Sequence, residues 1–113
     1  MSETRIYQLE KDKVFATGGS KYLEAARVKT GEILKVTHLA GSFENVGTSE
    51  FVELGYWNGH AYVPLKKGSP PEAGDPVHWD GEVYLREQQY VYAFFDDVAN
   101  GEKMRLRGNG KYE

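Results

Sequence analysis

The chain has 113 residues, a formal net charge of −3 and no cysteine. Its length predicts one domain with a single hydrophobic core, and the absence of cysteine excludes disulfide bonds, thiolate metal sites and a cysteine nucleophile. The acidic balance argues against non-specific binding to nucleic acid, which requires a basic surface.

Turn signals recur along the whole chain and separate segments of roughly 5 to 10 residues. Glycine occurs 13 times and tyrosine eight times, a combination that favours a turn-rich β domain over a helical one. The sequence therefore predicts an all-β protein, a single antiparallel β-sandwich or jelly-roll-like domain of about seven to nine short strands. Residues 1–14 are predicted to be an N-terminal arm or the first strand, and residues 15–113 to form the sandwich.

Three strands are predicted in the first part of the chain. Residues 4–9 form the first of them, unless they belong to the extended arm. Residues 22–28 form the second; the LEAAR sequence within them also has helical propensity, but glycine-containing turns on both sides favour a strand. Residues 32–40 alternate between two faces, one of them apolar, which is typical of a half-buried strand.

The Asn58-Gly59 dipeptide predicts a tight hairpin. Asn-Gly is typical of two-residue type I′ turns, because both central positions of that turn need positive φ. Such a turn pairs Trp57 with His60 across the hairpin. The flanking strands are predicted at residues 51–57 and 61–65.

The Asp80-Gly81 dipeptide predicts a second hairpin for the same reason. Here Trp79 is expected to pair with Glu82, so a tryptophan precedes the turn in both hairpins. The flanking strands are predicted at residues 75–79 and 82–86.

Two further strands complete the predicted sandwich. Residues 89–95 form the most apolar run and are predicted to be the central strand. Residues 103–107 alternate apolar with basic side chains, which predicts an exposed last strand. The basic stripe fits an edge strand protected by charge or a docking face for an acidic partner. Its members are Lys103, Arg105 and Arg107.

One segment, residues 66–74, has the composition of a long loop. Its consecutive prolines, Pro70 and Pro71, cannot donate hydrogen bonds to a β ladder and favour extended polyproline geometry. Loops of this size in compact domains are often functional or mobile. The segment is interpreted as a contact element or as a solvated connector.

Motifs for catalysis and metal binding are absent from the sequence. There is no nucleophile elbow, phosphate loop or dinucleotide fingerprint, and no second carboxylate accompanies Glu53 for glycoside hydrolysis. The three histidines lack metal-binding spacing, and the acidic segment 96–102 does not meet the ligand spacing of an EF-hand. The sequence therefore predicts neither an enzyme nor a bound metal or cofactor.

Aromatic residues beside the predicted hairpins are the main candidates for a binding surface. Trp57, Tyr62, Trp79 and Tyr84 fit a sugar platform or a protein contact, since Trp and Tyr are enriched at protein interfaces. A third alternative is that the two tryptophans only cover the ends of the core. The wider aromatic set adds Tyr56, Tyr90 and Tyr92.

The second half of the chain combines four segments in one order: ELGYW at Glu53–Trp57, V-x-W-x-G at Val77–Gly81, AFF at Ala93–Phe95 and GNGKY at Gly108–Tyr112. This order of strands and turns resembles the small all-β virion proteins of tailed bacteriophages, especially capsid decoration or cement proteins. The resemblance implies a β-sandwich or jelly roll that docks on an icosahedral shell and stabilises it, often as an oligomer. It also implies that residues 1–14 are an arm that reaches a neighbour.

The predicted function is therefore that of a non-enzymatic virion structural protein, which docks on a phage capsid as a decoration or cement subunit. The alternatives are a phage neck, tail or fibre component and a carbohydrate-binding β-sandwich module. Expected partners are the major capsid protein or other virion subunits, and further copies of the chain. The predicted contact residues are Trp57, Trp79, Tyr62, Tyr84, Lys66, Lys67, Pro70 and Pro71.

The start of the sequence shows no signal peptide, and no apolar run approaches the roughly 18 residues of a membrane span. The protein is accordingly expected to be made in the host cytoplasm and to reside in the virion, without a membrane or nucleic-acid partner.

Overall fold

A computed structural model describes residues 5–44, 51–69 and 75–113. Within these ranges the chain forms strands and no helix, which confirms the all-β prediction. No helix in the described part of the chain is long and apolar enough to cross a membrane. The strands are β1 (Arg5–Val14), β2 (Gly19–Glu24), β3 (Leu34–Phe43), β4 (Val52–Trp57), β5 (Tyr62–Gly68), β6 (Val77–Leu85), β7 (Tyr90–Val98) and β8 (Lys103–Tyr112).

The eight strands form two four-stranded antiparallel sheets. The first sheet has the order β1-β8-β3-β6, and the second sheet has the order β2-β7-β4-β5. Eight strands distributed in this way over two packed sheets form a double-sheet jelly roll. Strand β7 lies between β2 and β4, which confirms the prediction that residues 89–95 belong to a central strand.

The hydrophobic core lies between the two sheets. Along β7 the side chains of Val91, Ala93 and Phe95 are buried in it, because successive residues of a strand point to opposite faces. Burying a large apolar side chain stabilises the fold by about 1.5–3 kcal/mol. The core also contains Leu23, Val36, Leu39, Phe43, Val52, Leu54, Leu85, Met104 and Leu106.

The turn after β4 differs from the predicted two-residue hairpin. The Asn58 side-chain oxygen accepts hydrogen bonds from the backbone amides of His60 and Ala61, at 2.8 and 2.9 Å. An asparagine that binds its own following backbone in this way supports a longer turn. Trp57 consequently pairs with Tyr62, and the predicted pairing of Trp57 with His60 is wrong.

The Asp80-Gly81 dipeptide does not form a hairpin. Strand β6 continues through it without a break, and its pairing with β3 shifts register at this point. Glycine inside a strand often marks such a β-bulge, which leaves two residues opposite one on the partner strand. Trp79 therefore pairs with Leu39, and the predicted pairing of Trp79 with Glu82 is wrong.

The interpretation of residues 103–107 as an edge strand is also wrong, since β8 lies between β1 and β3. Its basic side chains meet carboxylates on the neighbouring chain segments. Arg107 donates to Asp12 at 2.6 Å, Lys103 lies 3.9 Å from Asp12, and Arg105 lies 3.5 Å from Glu44. The hydrogen bond from Arg107 lowers the pKa of Asp12. Each basic side chain of the stripe therefore has a carboxylate nearby, and Lys103 and Arg107 share Asp12.

Residues 5–14 form β1, which pairs with β8 along its whole length at the edge of the first sheet. Residues 1–4 of the predicted arm and residues 70–74 of the predicted loop, with Pro70 and Pro71, lie outside the described residues. The interpretation of residues 66–68 as part of that loop is wrong, since they belong to β5.

Candidate functional site

The outer face of the second sheet is covered by aromatic side chains. In β7, Tyr90, Tyr92 and Phe94 alternate with the core residues and therefore point away from the core. Rings from the other three strands, and from the residue before β4, join them. We call this set the aromatic face; it consists of Tyr22, Phe51, Trp57, Tyr62, Tyr90, Tyr92 and Phe94.

The rings of the aromatic face contact one another across the full width of the sheet. Tyr22 of β2 and Tyr62 of β5 belong to opposite edge strands, yet their rings stack with centroids 4.4 Å apart. Tyr92 lies below them, 4.8 Å from the Tyr62 ring and 5.7 Å from the Tyr22 ring. Trp57 extends the layer through its contact with Tyr62 at 5.0 Å. Aromatic pairs at these separations add about 0.5–1.5 kcal/mol beyond their area burial.

Two carboxylates hold the tyrosine hydroxyls of this layer. Glu24 accepts hydrogen bonds from Tyr62 at 2.8 Å and from Tyr90 at 2.6 Å, and Glu53 accepts one from Tyr92 at 2.8 Å. Hydrogen bonds to a charged partner are stronger than neutral ones. The rings are therefore fixed both by stacking and by their hydroxyl ends.

The same contacts shift the ionisation of the tyrosines. Burial raises the pKa of Tyr92 far above its usual range, and the hydrogen bond to Glu53 adds to this effect. Burial likewise raises the pKa of Tyr62 and of Tyr90, with a further contribution from the hydrogen bond that each makes to Glu24. The hydroxyls stay protonated as donors, because ionisation would place an anion against a carboxylate.

One positive charge lies at the border of the aromatic face. The Lys67 ammonium is 3.9 Å from the centroid of the Phe51 ring, within the range of a cation–π interaction. Lys66, the preceding residue of β5, is exposed. Of the predicted contact residues, Trp57, Tyr62 and Lys67 thus lie on or beside one face.

The other predicted aromatic contacts lie elsewhere. Trp79 and Tyr84 belong to β6, at the edge of the first sheet. Trp79 packs partly against the core, whereas Tyr84 is 51% exposed. Trp57 and Trp79 are therefore on different sheets and do not form a common platform.

Three rings of the aromatic face were not among the predicted candidates for a binding surface: Tyr22, Phe51 and Phe94. The carboxylate Glu24 was not among them either. Phe94 follows Tyr90 and Tyr92 at a spacing of two, a signal that is visible in the sequence. Tyr22 and Glu24 have no such signal, because only the long-range pairing of β2 with β7 brings them to this face.

The histidines and acidic residues do not assemble into a metal site in the described part of the chain, where no group of three or more potential ligands is close enough together. His38 and His78 face each other on the first sheet with ring centroids 5.5 Å apart, and His38 Nδ1 lies 2.8 Å from Asp80.

No protein-family model and no curated protein matches the chain. Among solved structures, a CBM4 carbohydrate-binding module matches with 10% identity and a TM-score of 0.37, over 94% of this chain and 82% of that one. A structure of infectious bursal disease virus, Gx strain, matches with 7% identity and a TM-score of 0.32, over 97% of this chain and 31% of that one. The chain thus spans less than a third of the viral one, and both TM-scores are too low to carry an argument about function.

Proposed function

We propose that the protein is a non-enzymatic structural subunit of a tailed-phage virion, which docks on the protein shell as a decoration or cement protein through its aromatic face. The resemblance of the chain to such virion proteins supports the class. The aromatic face is the single observation that supports the docking surface. A subunit with this role needs a rigid fold and a contact surface, and it needs no catalytic group.

The aromatic face has the composition of a protein contact surface. Tyr22 is 43% exposed, and Trp57, Tyr62 and Phe94 are half-buried, so that solvent reaches their rings. Tyr and Trp are enriched at the energetic centres of interfaces. Ring contacts already hold these side chains, and Glu24 also holds the Tyr62 hydroxyl. Docking would therefore restrict few further side-chain rotamers, and restricting rotamers is one of the costs of association.

Tyr22→Ala is expected to weaken binding of the purified protein to shells that lack it by at least about tenfold, the size of effect typical of a central interface aromatic. Tyr84→Ala is the matched control, since Tyr84 is similarly exposed at 51% but belongs to the first sheet. Co-sedimentation with the shells measures the binding, and urea denaturation checks that both variants fold. Loss of binding in the Tyr84 variant alone would assign docking to the other sheet.

The stabilising role has its own test. Particles without the protein should release their DNA at a lower temperature than complete particles, and adding the purified protein should restore the difference. Equal heat resistance with and without the protein contradicts a cement function. The positions of the copies in the particle distinguish the alternatives. A decoration protein covers the whole shell, whereas a neck, tail or fibre component is confined to that part of the particle.

Carbohydrate binding is the second candidate function, and the placement of Glu24 and Glu53 among the rings favours it. Ring faces pack against apolar surfaces, and carboxylate oxygens accept hydrogen bonds from hydroxyl groups. A ligand site commonly combines an aromatic lining with a few such polar groups.

The two tryptophans allow a direct test of the carbohydrate candidate. Trp79→Phe leaves Trp57 as the only indole, on the aromatic face, and Trp57→Phe leaves Trp79, on the first sheet. If an oligosaccharide binds the aromatic face, it should change the emission of the Trp79→Phe variant and leave that of the Trp57→Phe variant unchanged. Unchanged emission of both variants across a panel of oligosaccharides would eliminate this candidate.

A further inference from the structure

A second surface feature shares no lining residue with the aromatic face. The connection between β2 and β3, residues 25–33, passes the first residues of β1 and the last residues of β8, and leaves a cleft of about 190 Å³ open to solvent. We call this cleft the end pocket. Its apolar wall consists of Tyr7, Leu9, Val28, Leu34 and Tyr112.

The border of the end pocket is positively charged in a chain that is acidic as a whole. Arg5, Arg27 and Lys29 line it, and Glu32 is the one carboxylate among its lining residues. Glu32 lies 3.4 Å from Arg5, whose side chain is 60% exposed. The arginine end of this pair is open to solvent, whereas the Glu32 side chain is only 22% exposed. An incoming carboxylate can therefore reach the exposed guanidinium and share it with Glu32.

The guanidinium groups at the end pocket are also placed against rings. Arg5 Cζ lies 4.5 Å from the centroid of Tyr112, and Arg27 Cζ lies 5.7 Å from that of Tyr90. A guanidinium that lies over the plane of an aromatic ring still has N–H groups at its edge, which can donate hydrogen bonds to an anion. The cationic groups are thus partly oriented before any ligand arrives.

The size of the end pocket limits what can enter it. An engineered protein cavity of about 150 Å³ admits a benzene molecule, so a cleft of about 190 Å³ admits one aromatic ring or one branched aliphatic side chain. The open side leaves room for a chain attached to that group. Shape and charge together fit an apolar side chain with carboxylates next to it.

We propose that the end pocket binds a segment of a partner protein in which one large apolar side chain, Phe or Leu, is flanked by Asp or Glu residues. The apolar side chain fills the cleft and the flanking carboxylates meet Arg5, Arg27 and Lys29. The end pocket shares no lining residue with the aromatic face, although its Arg27 lies against the Tyr90 ring of that face. The proposal does not depend on the virion assignment. In an assembly the end pocket would supply a second contact, which links a subunit already docked through its sheet to a neighbour.

Two synthetic peptides, acetyl-Asp-Glu-Phe-Asp-Glu-amide and its Ala analogue, test the proposal on the full chain. Titration followed by ¹H–¹⁵N NMR should shift the amide signals of residues 5–9, 26–34 and 112. The Ala peptide should bind at least about tenfold more weakly, since the buried ring supplies the hydrophobic term. The Arg27→Gln/Lys29→Gln variant should bind the Phe peptide at least about fivefold more weakly, and added salt should weaken binding to the unchanged chain.

The control variant is Lys11→Gln/Lys66→Gln, which removes two exposed positive charges away from the pocket and should bind the Phe peptide normally. Ala26→Phe, at an exposed lining position, should obstruct the cleft and weaken binding of the Phe peptide. It replaces the Arg27→Gln/Lys29→Gln variant in the test if that variant does not fold. Any of three results overturns the proposal: equal affinity for the Phe and Ala peptides, NMR signal shifts confined to the aromatic face, or no binding at millimolar peptide. Phenylacetate that binds as tightly as the Phe peptide also overturns it, in favour of a small-molecule site.

Discussion

Raising the pH from about 9 to about 11 should remove a large part of the stability of the protein. Burial raises the pKa of Tyr7 to about 12, with a further contribution from the Tyr112 hydroxyl, and the pKa values of Tyr62 and Tyr92 are raised further by burial and by Glu24 and Glu53. In the unfolded chain these tyrosines ionise near pH 10. Their stabilising contribution is therefore complete below about pH 10 and is lost as the pH rises towards the folded-state pKa values.

The expected loss is large because several such tyrosines act together. Each tyrosine that stays protonated only in the folded state costs about 1.4 kcal/mol per pH unit above its unfolded pKa. Tyr7 and Tyr92, the more deeply buried of these groups, together should lower the free energy of unfolding by about 2 kcal/mol between pH 10 and 11. Tyr62 lies nearer to solvent and adds a smaller, screened contribution. A domain of this kind has only about 5–15 kcal/mol in total.

Urea denaturation at a series of pH values from 8 to 11 measures this loss. The matched variant Tyr92→Phe removes one of the buried hydroxyls, so its free energy of unfolding should fall less steeply above pH 10 than that of the unchanged chain. The slope is the readout, because the variant also loses the hydrogen bond to Glu53 and starts from a lower value. A free energy of unfolding that is flat from pH 9 to 11 contradicts the burial of these hydroxyls.

Much of the fold is visible in the sequence because strand periodicity and turn chemistry are local properties. The run at residues 89–95 is correctly predicted to be central. Both faces of β7 are covered, the inner one by the core and the outer one by the aromatic face, so the strand lacks polar positions over most of its length. Residues 51–57 likewise alternate between core and surface as the sequence indicates.

The errors arise where a local signal has two possible outcomes. Asp80-Gly81 fits a tight turn or a bulge, and only the pairing of β6 with β3, about 40 residues away in sequence, decides for the bulge. The basic alternation at residues 103–107 fits an edge strand or a central one. Its carboxylate partners, Asp12 and Glu44, come from distant parts of the chain, and no local pattern reveals them.

The candidate site shows the same division. Trp57 and Tyr62 are recognisable in the sequence because they flank one turn, and they do contact each other. Tyr22 and Glu24 lie near the start of the chain and reach the site only because β2 pairs with β7. A site that is assembled from both edges of a sheet depends on topology, which period-two patterns do not specify.

Gly55→Ala is expected to be among the most damaging single substitutions in the protein. Gly55 lies in β4 opposite Tyr92 on one side and Pro64 on the other. A β-carbon at this position would overlap the backbone oxygen of Val63 and would approach Tyr92 Cε1 and its hydroxyl to 2.8 Å. The backbone oxygen has no rotamer to change, so β4 and β5 must separate at this point, and Tyr92 must in addition move away from Glu53. Overpacking of this kind costs about 1–3 kcal/mol, and loss of the charge-assisted hydrogen bond adds to it.

Gly59→Ala is the matched control for this effect. It is the same chemical change in the turn that follows β4, at a site with open space around the added methyl group and a φ of +101°. Its cost of about 1–2 kcal/mol comes from the left-handed backbone alone. Urea denaturation should therefore show a larger loss for Gly55→Ala, and near-ultraviolet circular dichroism should change only for that variant, because only there is the packing of Tyr92 disturbed. If the Gly55 variant keeps both its stability and its aromatic spectrum, Tyr92 does not lie across β4, and the aromatic face is not built as described.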